Sequence, residues 1–449
     1  MFKPARFSGG IHPKSSKNTH SCPTVLLDDF ATIRIPMIMH NGPPSTCLVK
    51  AGALVEIGQL IGRADSPMAV PIHASVSGKV RAVAEEVASS GQLMTVVTID
   101  NDHQKTVHAS VVPPIVSNRD EFIQAIRDSG LVGLGGAGFP TYLKLKPPPG
   151  KEPDTLVINA AECEPYVTSD NRLCIENPAA VIEGIEQVMK FMAIPLARIG
   201  IEDNKPEAIE ALRAALTARQ SGGPAIELVQ LHTRYPQGAE KMLIYALTGR
   251  EIPSGGLPHD VRVMVLNAGT AAFIAGYLRT GMPLIRRTVT LDGGIVKNPG
   301  NYDVPTGTPI ADLVEASGGF LGEPGKVIMG GPMMGVAVDR TSASILKINN
   351  AILMFDQAEA AIPEESPCIR CARCVMSCPV RLMPTELDSL SREHDIAGLR
   401  EYNVMDCIEC GCCSYTCPAK GYLVQSIRNG KAAFRAALAA DKAKEAARK

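Results

Sequence analysis

Two cysteine runs near the carboxyl end constrain this chain more than any other feature. CIRCARCVMSCP places Cys368, Cys371, Cys374 and Cys378 at spacings of two, two and three residues, followed by Pro379. CIECGCCSYTCP repeats the pattern with Cys407, Cys410, Cys413, Cys417 and Pro418. Three thiolates on one short loop can wrap three corners of a cubane iron–sulfur cluster, while the fourth, displaced into a helix, faces away toward a second cluster. The spacing therefore assigns one 4Fe-4S cluster to Cys368, Cys371, Cys374 and Cys417, and the other to Cys407, Cys410, Cys413 and Cys378. Paired CxxC motifs also bind zinc, but zinc does not explain two complete runs that each end in proline. Cys412 is out of register and reads as a non-ligand. Between the runs, LMPTELDSLSREHDIAGLREY is helical in pattern, which makes a helical two-cluster module.

Nine of the 13 cysteines fall between 368 and 417, so the distribution is that of a metal site in a reducing compartment and not of a disulfide framework. Cys22, Cys47, Cys163 and Cys174 are scattered and read as small buried hydrophobes.

At 449 residues the chain exceeds what one core holds, and two to four domains are expected. Residues 1–115 alternate short apolar runs with Gly and Pro, which predicts a small β domain of short strands and tight turns. From 119 the pattern changes. RDEFIQAIRDSG carries Phe122, Ile123 and Ile126 at helical spacing and stops at Gly130. TLVINA (strand), PAAVIEGIEQVMKFM (helix), RIGIE (strand), KPEAIEALRAALTARQ (helix) and AIELVQL (strand) then alternate in βαβ rhythm. That predicts an α/β domain over 116–283 with a mostly parallel sheet and a ligand site beyond the carboxyl ends of its strands. Residues 284–345 return to strands and turns, a second small β-rich domain. Residues 346–366 read as a linker, 367–430 as the cluster module, and the Ala/Lys-rich 431–449 as a helix or tail, either solvated or docked on a partner or anionic lipid. The fold class is multidomain α/β and β.

A net charge of −1, 4% aromatic residues and no tryptophan leave no basic field or stacking platforms for nucleic acid. MFKPARFSGGIHPKSS lacks the apolar core of a secretory signal. VMVLNAGTAAFIAGYL at 263–278 is too short to span a bilayer and carries Asn267, so membrane association is expected to be peripheral.

GLGGAGFPTYLKL at 133–145 holds four glycines in six residues. No Gly-Lys-Ser/Thr follows as in a phosphate-binding Walker loop, and although Gly133, Gly135 and Gly138 spell G-x-G-x-x-G, no buried strand leads in. Alone, the stretch fits either a plain helix-start loop or a backbone cradle whose N–H groups approach a phosphate. The clusters tip the balance. Cubanes pass one electron at a time and nicotinamide exchanges a hydride; a flavin works in both regimes, so a glycine loop in an α/β domain beside two clusters points to a flavin.

The glycine loop together with NAAECEPY at 159–166 resembles the flavin-binding core of the NADH-binding subunits of respiratory complex I. The chain resembles the C subunits of Rnf electron-transport complexes more closely, and along its length: FSGGIHP, IMHNGPP, VKAGALVEIGQLIG, the glycine loop, both cysteine runs and YLVQSIR at 422–428. The resemblance implies FMN held non-covalently with NAD(H) on its exposed face. Gly133, Gly135, Gly136, Ala137 and Gly138 would cradle the flavin, Phe139 would lie by the isoalloxazine and nicotinamide, Thr141 would belong to the same site, and Lys144 would meet phosphate or the flavin edge. Asn159, Glu162 and Glu164 match polar residues lining flavin and nucleotide; Tyr235, Gly238 and Glu240 match a Tyr–Gly–Glu segment; Asn267 and Thr270 match in LNAGTAA. Compared with complex I relatives, Leu134 replaces an arginine and Ala161 an aspartate.

The resemblance further implies a barrel-sandwich-like N-terminal domain and a β-grasp domain of the soluble-ligand-binding type at 284–345. It implies a peripheral electron-transfer subunit on the cytoplasmic face of the cell's inner membrane, with no protein acid–base group required for hydride transfer. Its partners would be the other subunits of a membrane-embedded Rnf-type complex, a ferredoxin-like iron–sulfur subunit among them, coupling ferredoxin and NAD⁺ chemistry to Na⁺ or H⁺ movement. Three readings compete. A soluble microcompartment-type corrin reductase is similar over the glycine loop and clusters but begins close to that loop. A non-enzymatic iron–sulfur relay would carry clusters and no flavin. A soluble hydrogenase or formate dehydrogenase diaphorase subunit would resemble complex I more closely at Leu134 and Ala161.

Overall fold

The structure, a computed structural model, describes residues 3–87, 93–219, 223–339 and 341–448. Its α/β domain is built on four parallel strands in the order Ala225–Leu231, Leu196–Glu202, Thr155–Ala160, Val263–Asn267. Thr155–Ala160 reads almost wholly apolar because helices cover both faces of the sheet. The helices Pro178–Met192 and Ala268–Thr280 pack on one face with Leu156, Ile158 and Ile199, and Glu240–Thr248 packs on the other with Val157, Val229 and Val265. The first three strands advance in one direction; the fourth lands on the far side of the first. The chain reversal therefore opens a crevice between the carboxyl ends of Thr155–Ala160 and Val263–Asn267. The glycine loop enters this crevice from the helix Arg119–Asp128, whose cap Asn118 accepts from the Glu121 N–H, so a helix and not a strand precedes it.

The N-terminal β domain has two small antiparallel sheets, one of Thr32–Pro36, Leu93–Asn101, Gly78–Val87 and Leu54–Val55, the other of Thr46–Cys47, Leu60–Arg63 and Ile72–His73. Its core is shared with the next domain. Ile33, Ile35 and Ile99 pack into one cluster with Val289, Leu291, Tyr302 and Ile310 of the next β domain.

That next domain is a six-stranded mixed sheet in the order Thr24–Leu26, Gly300–Pro305, Arg286–Asp292, Ala351–Phe355, Lys326–Met329, Val336–Val338, with the helix Ile310–Ala316 beside it. Two of its strands come from outside 284–345, which corrects the sequence reading. Ala351–Phe355, placed in the 346–366 linker, is a fully buried strand between two others. An apolar run of five residues has no amphipathic period, so only its partners reveal it as a strand. Thr24–Leu26 adds a parallel edge strand, which takes the chain's beginning away from the N-terminal β domain.

In the cluster module, Pro384–Arg392 and Ile396–Glu401 pack on the long helix Leu423–Arg448 around Leu387, Leu399, Val404, Ile427 and Phe434. The Ala/Lys-rich tail continues that helix. Its first turns are packed, with Lys431 and Phe434 buried, and residues 439–446 are exposed.

Candidate functional site: two thiol-lined cavities beside a glycine cradle

The eight run cysteines fall into two groups. Cys368, Cys371, Cys374 and Cys417 line one cavity of about 480 Å³. Cys378, Cys407, Cys410 and Cys413 line a second, tighter one, which Cys412 also borders. A short helix inside each run, Arg373–Ser377 and Cys412–Thr416, ends on the fourth cysteine, Cys378 and Cys417, which lines the other run's cavity. In each group the thiols surround a space rather than converge on a point; among the described residues no three His, Cys, Asp or Glu side chains gather on a single-ion position. Four thiols lining one cavity fit a cubane cluster. Burial pushes the Cys407 thiol up to about 11 and the Cys413 thiol up to about 12, so cluster assembly there must release protons. Cys412 is fully buried against Ile11 and Tyr235.

The two cavities differ in exposure. Cys368 and Cys371 are exposed and Cys374 is buried; in the second group Cys410 and Cys413 are buried, and Cys410 packs with Tyr235 of the α/β domain.

The glycine loop is held from its flanks. The Gly133 N–H donates to the Phe139 carbonyl (2.8 Å), closing the loop. The Leu134 N–H donates to Thr270 Oγ1 (3.0 Å), the buried Arg287 guanidinium donates to the Leu134 carbonyl (3.1 Å), and the Asn41 N–H donates to the Gly138 carbonyl (2.9 Å). Leu134 points into the core at 4% exposure, while Gly135, Gly136 and Ala137 stay exposed above it. Gly136 has φ +105° with open space where a side chain would be, and a Cβ on Gly135 would lie 3.4 Å from the Asn267 side chain. Gly138, at φ +61°, is needed for packing: a methyl there would meet Ile348 at 2.3 Å.

Asn267 caps the helix Ala268–Thr280, its Oδ1 accepting from the N–H groups of Gly269 (2.8 Å) and Thr270 (3.3 Å), and its Nδ2 donates to Asp170. Asn159 donates to the Gly238 carbonyl (2.8 Å) and accepts from the Ala161 N–H (3.2 Å). Lys144 donates to Glu240 (3.0 Å) and to the Val265 carbonyl (3.2 Å), so cation and carboxylate meet beside the fourth strand. Phe139 is half-buried; Thr141 is buried, and its hydroxyl has no partner among the described residues. An exposed glycine backbone at the switch point with a lysine nearby fits a phosphate-bearing ligand.

The remaining sequence-selected residues lie deeper. Glu162 accepts from the Asp170 (2.6 Å) and Asn171 (3.2 Å) N–H groups at the start of the helix Ser169–Glu176. Glu164 accepts from the Met333 (3.0 Å) and Met334 (2.9 Å) N–H groups of the β-grasp domain. Tyr235, 1% exposed, donates its hydroxyl to the Cys410 carbonyl (2.8 Å). Lys17, which no motif singled out, donates to the carbonyls of Glu162 (2.7 Å), Glu164 (2.9 Å) and Val167 and so organises the NAAECEPY turn from the N-terminus. Burial pulls Lys17 down, opposed by the Glu162 carboxylate, and pushes Glu162 up. Arg287, Asp170 and Asn41 were likewise not legible; each acts from a distant segment with no spacing signal.

Burial pushes the Glu164 carboxyl up to about 7 against the opposing pull of the Met333 and Met334 N–H groups. A carboxyl raised on folding binds its proton more tightly in the native state, so its contribution to stability is full below the ordinary value near 4.5 and is lost as pH rises through about 7. Glu164→Gln removes that dependence. The parent's melting temperature is expected to fall relative to the variant's from pH 5 to pH 7.5, and a difference independent of pH would contradict this.

Four family models match in succession: RnfC barrel sandwich hybrid domain over 5–104, Nuo51 FMN-binding domain over 126–276, SLBB domain over 288–337 and 4Fe-4S dicluster domain over 361–418. The C subunit of the Na(+)-translocating ferredoxin:NAD(+) oxidoreductase complex of Acetobacterium woodii is 43% identical over 433 residues, which cover 96% of this chain and 97% of the relative. The chain belongs to the family of C subunits of ion-translocating oxidoreductase complexes. Another member, the C subunit of the proton-translocating ferredoxin:NAD(+) oxidoreductase complex of Clostridium ljungdahlii, is 42% identical, covering 98% of this chain and 96% of the relative. The C subunit of the ion-translocating oxidoreductase complex of Rhodobacter capsulatus is 39% identical, covering 88% and 77%. A solved NAD+-reducing [NiFe]-hydrogenase shares the fold with a TM-score of 0.50 at 19% identity, over 70% of this chain and 63% of that one. In the order of the four models, this member of the family places its FMN-type domain between two β domains and ahead of the clusters.

Proposed function

We propose that this chain is the NAD(H)-linked electron-transfer subunit of an ion-translocating ferredoxin:NAD⁺ oxidoreductase, binding FMN in the glycine cradle and a 4Fe-4S cluster in each thiol-lined cavity. Bound there, FMN exchanges a hydride with NAD(H) and single electrons with the clusters. One observation carries the reading: Tyr235 reaches Gly238 and Asn159 through its chain and the Cys410 carbonyl through its hydroxyl, so cradle and second cavity share one wall. Gly135, Gly136 and Ala137 offer backbone to the flavin, Thr141 and Lys144 offer a hydroxyl and a charge, and Asn159 and Asn267 hold the two strand ends that flank it. No residue need move a proton.

The cluster held by Cys407, Cys410, Cys413 and Cys378 lies on the flavin side, and that held by Cys368, Cys371, Cys374 and Cys417 lies outermost. Around the outer ligands Ile369 (67% exposed) and Met376 (77%) stand beside exposed Arg370, Arg373 and Lys420. Apolar contact ringed by cations suits an acidic ferredoxin-like subunit, whose field would steer docking. Among the described residues no helix is long and apolar enough to cross a membrane. From its membership among C subunits of ion-translocating complexes, we assign the chain a peripheral place on the cytoplasmic face of the membrane, in a multi-subunit complex whose other subunits carry the ion. Relatives of nearly equal identity are named for Na⁺ and for protons, so overall identity to them does not select the ion.

The test is anaerobic. After reconstitution with iron, sulfide and FMN and removal of free flavin, NADH is expected to bleach about one retained FMN and to produce reduced-cluster signals by electron paramagnetic resonance. Clusters without flavin, unresponsive to NADH, would return the chain to the relay reading.

A further inference from the structure

Residues 3–26 leave the N-terminal β domain and run across three others before ending in the β-grasp sheet. On the way, residues 7–11 lie between the α/β domain and the second thiol-lined cavity. The Gly10 N–H donates to the Ser377 carbonyl (2.8 Å), next to the ligand Cys378. Ile11 and Tyr235 exchange both backbone hydrogen bonds (2.8 and 2.9 Å), and Tyr235 in turn bonds the Cys410 carbonyl. The Phe7 carbonyl accepts from Arg234 (2.8 Å), whose guanidinium lies 4.8 Å from the centre of the Phe7 ring, and Arg381 donates to Ser8 (3.2 Å). Five consecutive residues thus tie the segment 234–235, on the flavin side, to Ser377, Cys378 and Arg381 on the cluster side.

Contact this close depends on Gly9. It has φ +75°, and a methyl group on it would lie 2.5 Å from the Cys378 carbonyl oxygen and 3.0 Å from the Pro379 nitrogen, both backbone atoms that cannot swing aside. Only a residue without a side chain lets the strap rest on the ligand's own peptide group. We propose that Phe7–Ile11 is a strap that sets the distance between the flavin site and the second cluster, with Gly9 as its positioning residue. The inference rests on the flavin and cluster assignments above. Its physical content is that tunnelling between centres weakens exponentially with separation, while the two domains otherwise meet here through side chains that can repack.

Gly9→Ala is the test, with Gly52→Ala as its partner, because Gly52 also has a positive φ (+88°) but nothing within 4 Å of the added methyl. In stopped-flow experiments Gly9→Ala is expected to leave flavin bleaching by NADH at the parental rate. It is expected to slow the later reduction of the clusters by about tenfold, a loss typical of small misplacements between reacting centres. Hydrogen exchange at the Gly10 and Ile11 amides should rise, and the paramagnetic signal of the flavin-side cluster should change; Gly52→Ala should do none of this. Equal cluster-reduction rates and equal exchange in the two variants would overturn the proposal. Absence of flavin bleaching in the parent would overturn the functional reading instead, and the exchange comparison would still decide the strap. Should Gly9→Ala not accumulate, Phe7→Ala removes the ring from Arg234 without adding atoms, and the same two readouts apply against the same control.

Discussion

Cys417→Ala is expected to abolish the cluster of the first cysteine run while sparing that of its own. Cys417 lines the cavity of Cys368, Cys371 and Cys374, and Cys378 lines the cavity of Cys407, Cys410 and Cys413. Loss of one thiolate from a cubane's four leaves an iron open to solvent and oxidant, so the reconstituted variant should hold about four irons in place of about eight. The surviving cluster should be the flavin-side one, still reduced by NADH through the cradle. Cys378→Ala gives the reverse: the outer cluster assembles but receives no electrons from NADH, because the proposed route through the flavin-side cluster is broken. Iron and sulfide content with a spectroscopic titration separates the two. If Cys417→Ala instead lost the cluster of Cys407, Cys410 and Cys413, each run would hold its own cube and the crossed assignment would be wrong.

The second large effect is on stability. Gly184 lies where the helices Pro178–Met192 and Ala268–Thr280 come closest: a methyl there would sit 1.7 Å from the Ala271 carbonyl oxygen. Alanine can be accommodated only by separating the helices, at a cost of about 3 kcal/mol, the upper range for overpacking a core. The helix that must move also carries Asn267 at its cap and Thr270 beneath the glycine loop, so flavin retention should fall with stability. Gly276→Ala supplies the contrast. It lies in the same helix with nothing within 4 Å of the new methyl, and should stabilise by about 0.5–1 kcal/mol through helix propensity alone. Thermal unfolding of the pair, with flavin content measured alongside, checks both sign and size.

The parts of this protein that could be read from its sequence are those written in short-range spacing. TLVINA, AIELVQL and PAAVIEGIEQVMKFM form the elements their patterns predict, at Thr155–Ala160, Ala225–Leu231 and Pro178–Met192. Hydrophobic period and the proline at the helix start act within a few residues of one another. AILMF, also short and apolar, is not legible as a strand because its assignment depends on Arg286–Asp292 and Lys326–Met329 lying on either side of it. The site divides in the same way. The glycine loop is visible as a string of glycines, whereas what holds it comes from Asn41, Thr270 and Arg287, spread over nearly 250 residues.

The sequence by itself determined the chemistry: which thiolates are spaced for cubanes, which backbone can approach a phosphate, and which strands alternate with helices. These follow from covalent spacing and local sterics, which hold in any context. The tertiary structure alone decided how these parts are arranged. It set which cavity lies beside the α/β domain, brought Tyr235 and residues 7–11 between that domain and the second cavity, and tied the half-buried Lys17 to the carbonyls of Glu162 and Glu164. Such arrangements depend on contacts between residues hundreds of positions apart, whose geometry arises only when several hydrophobic cores have closed around them.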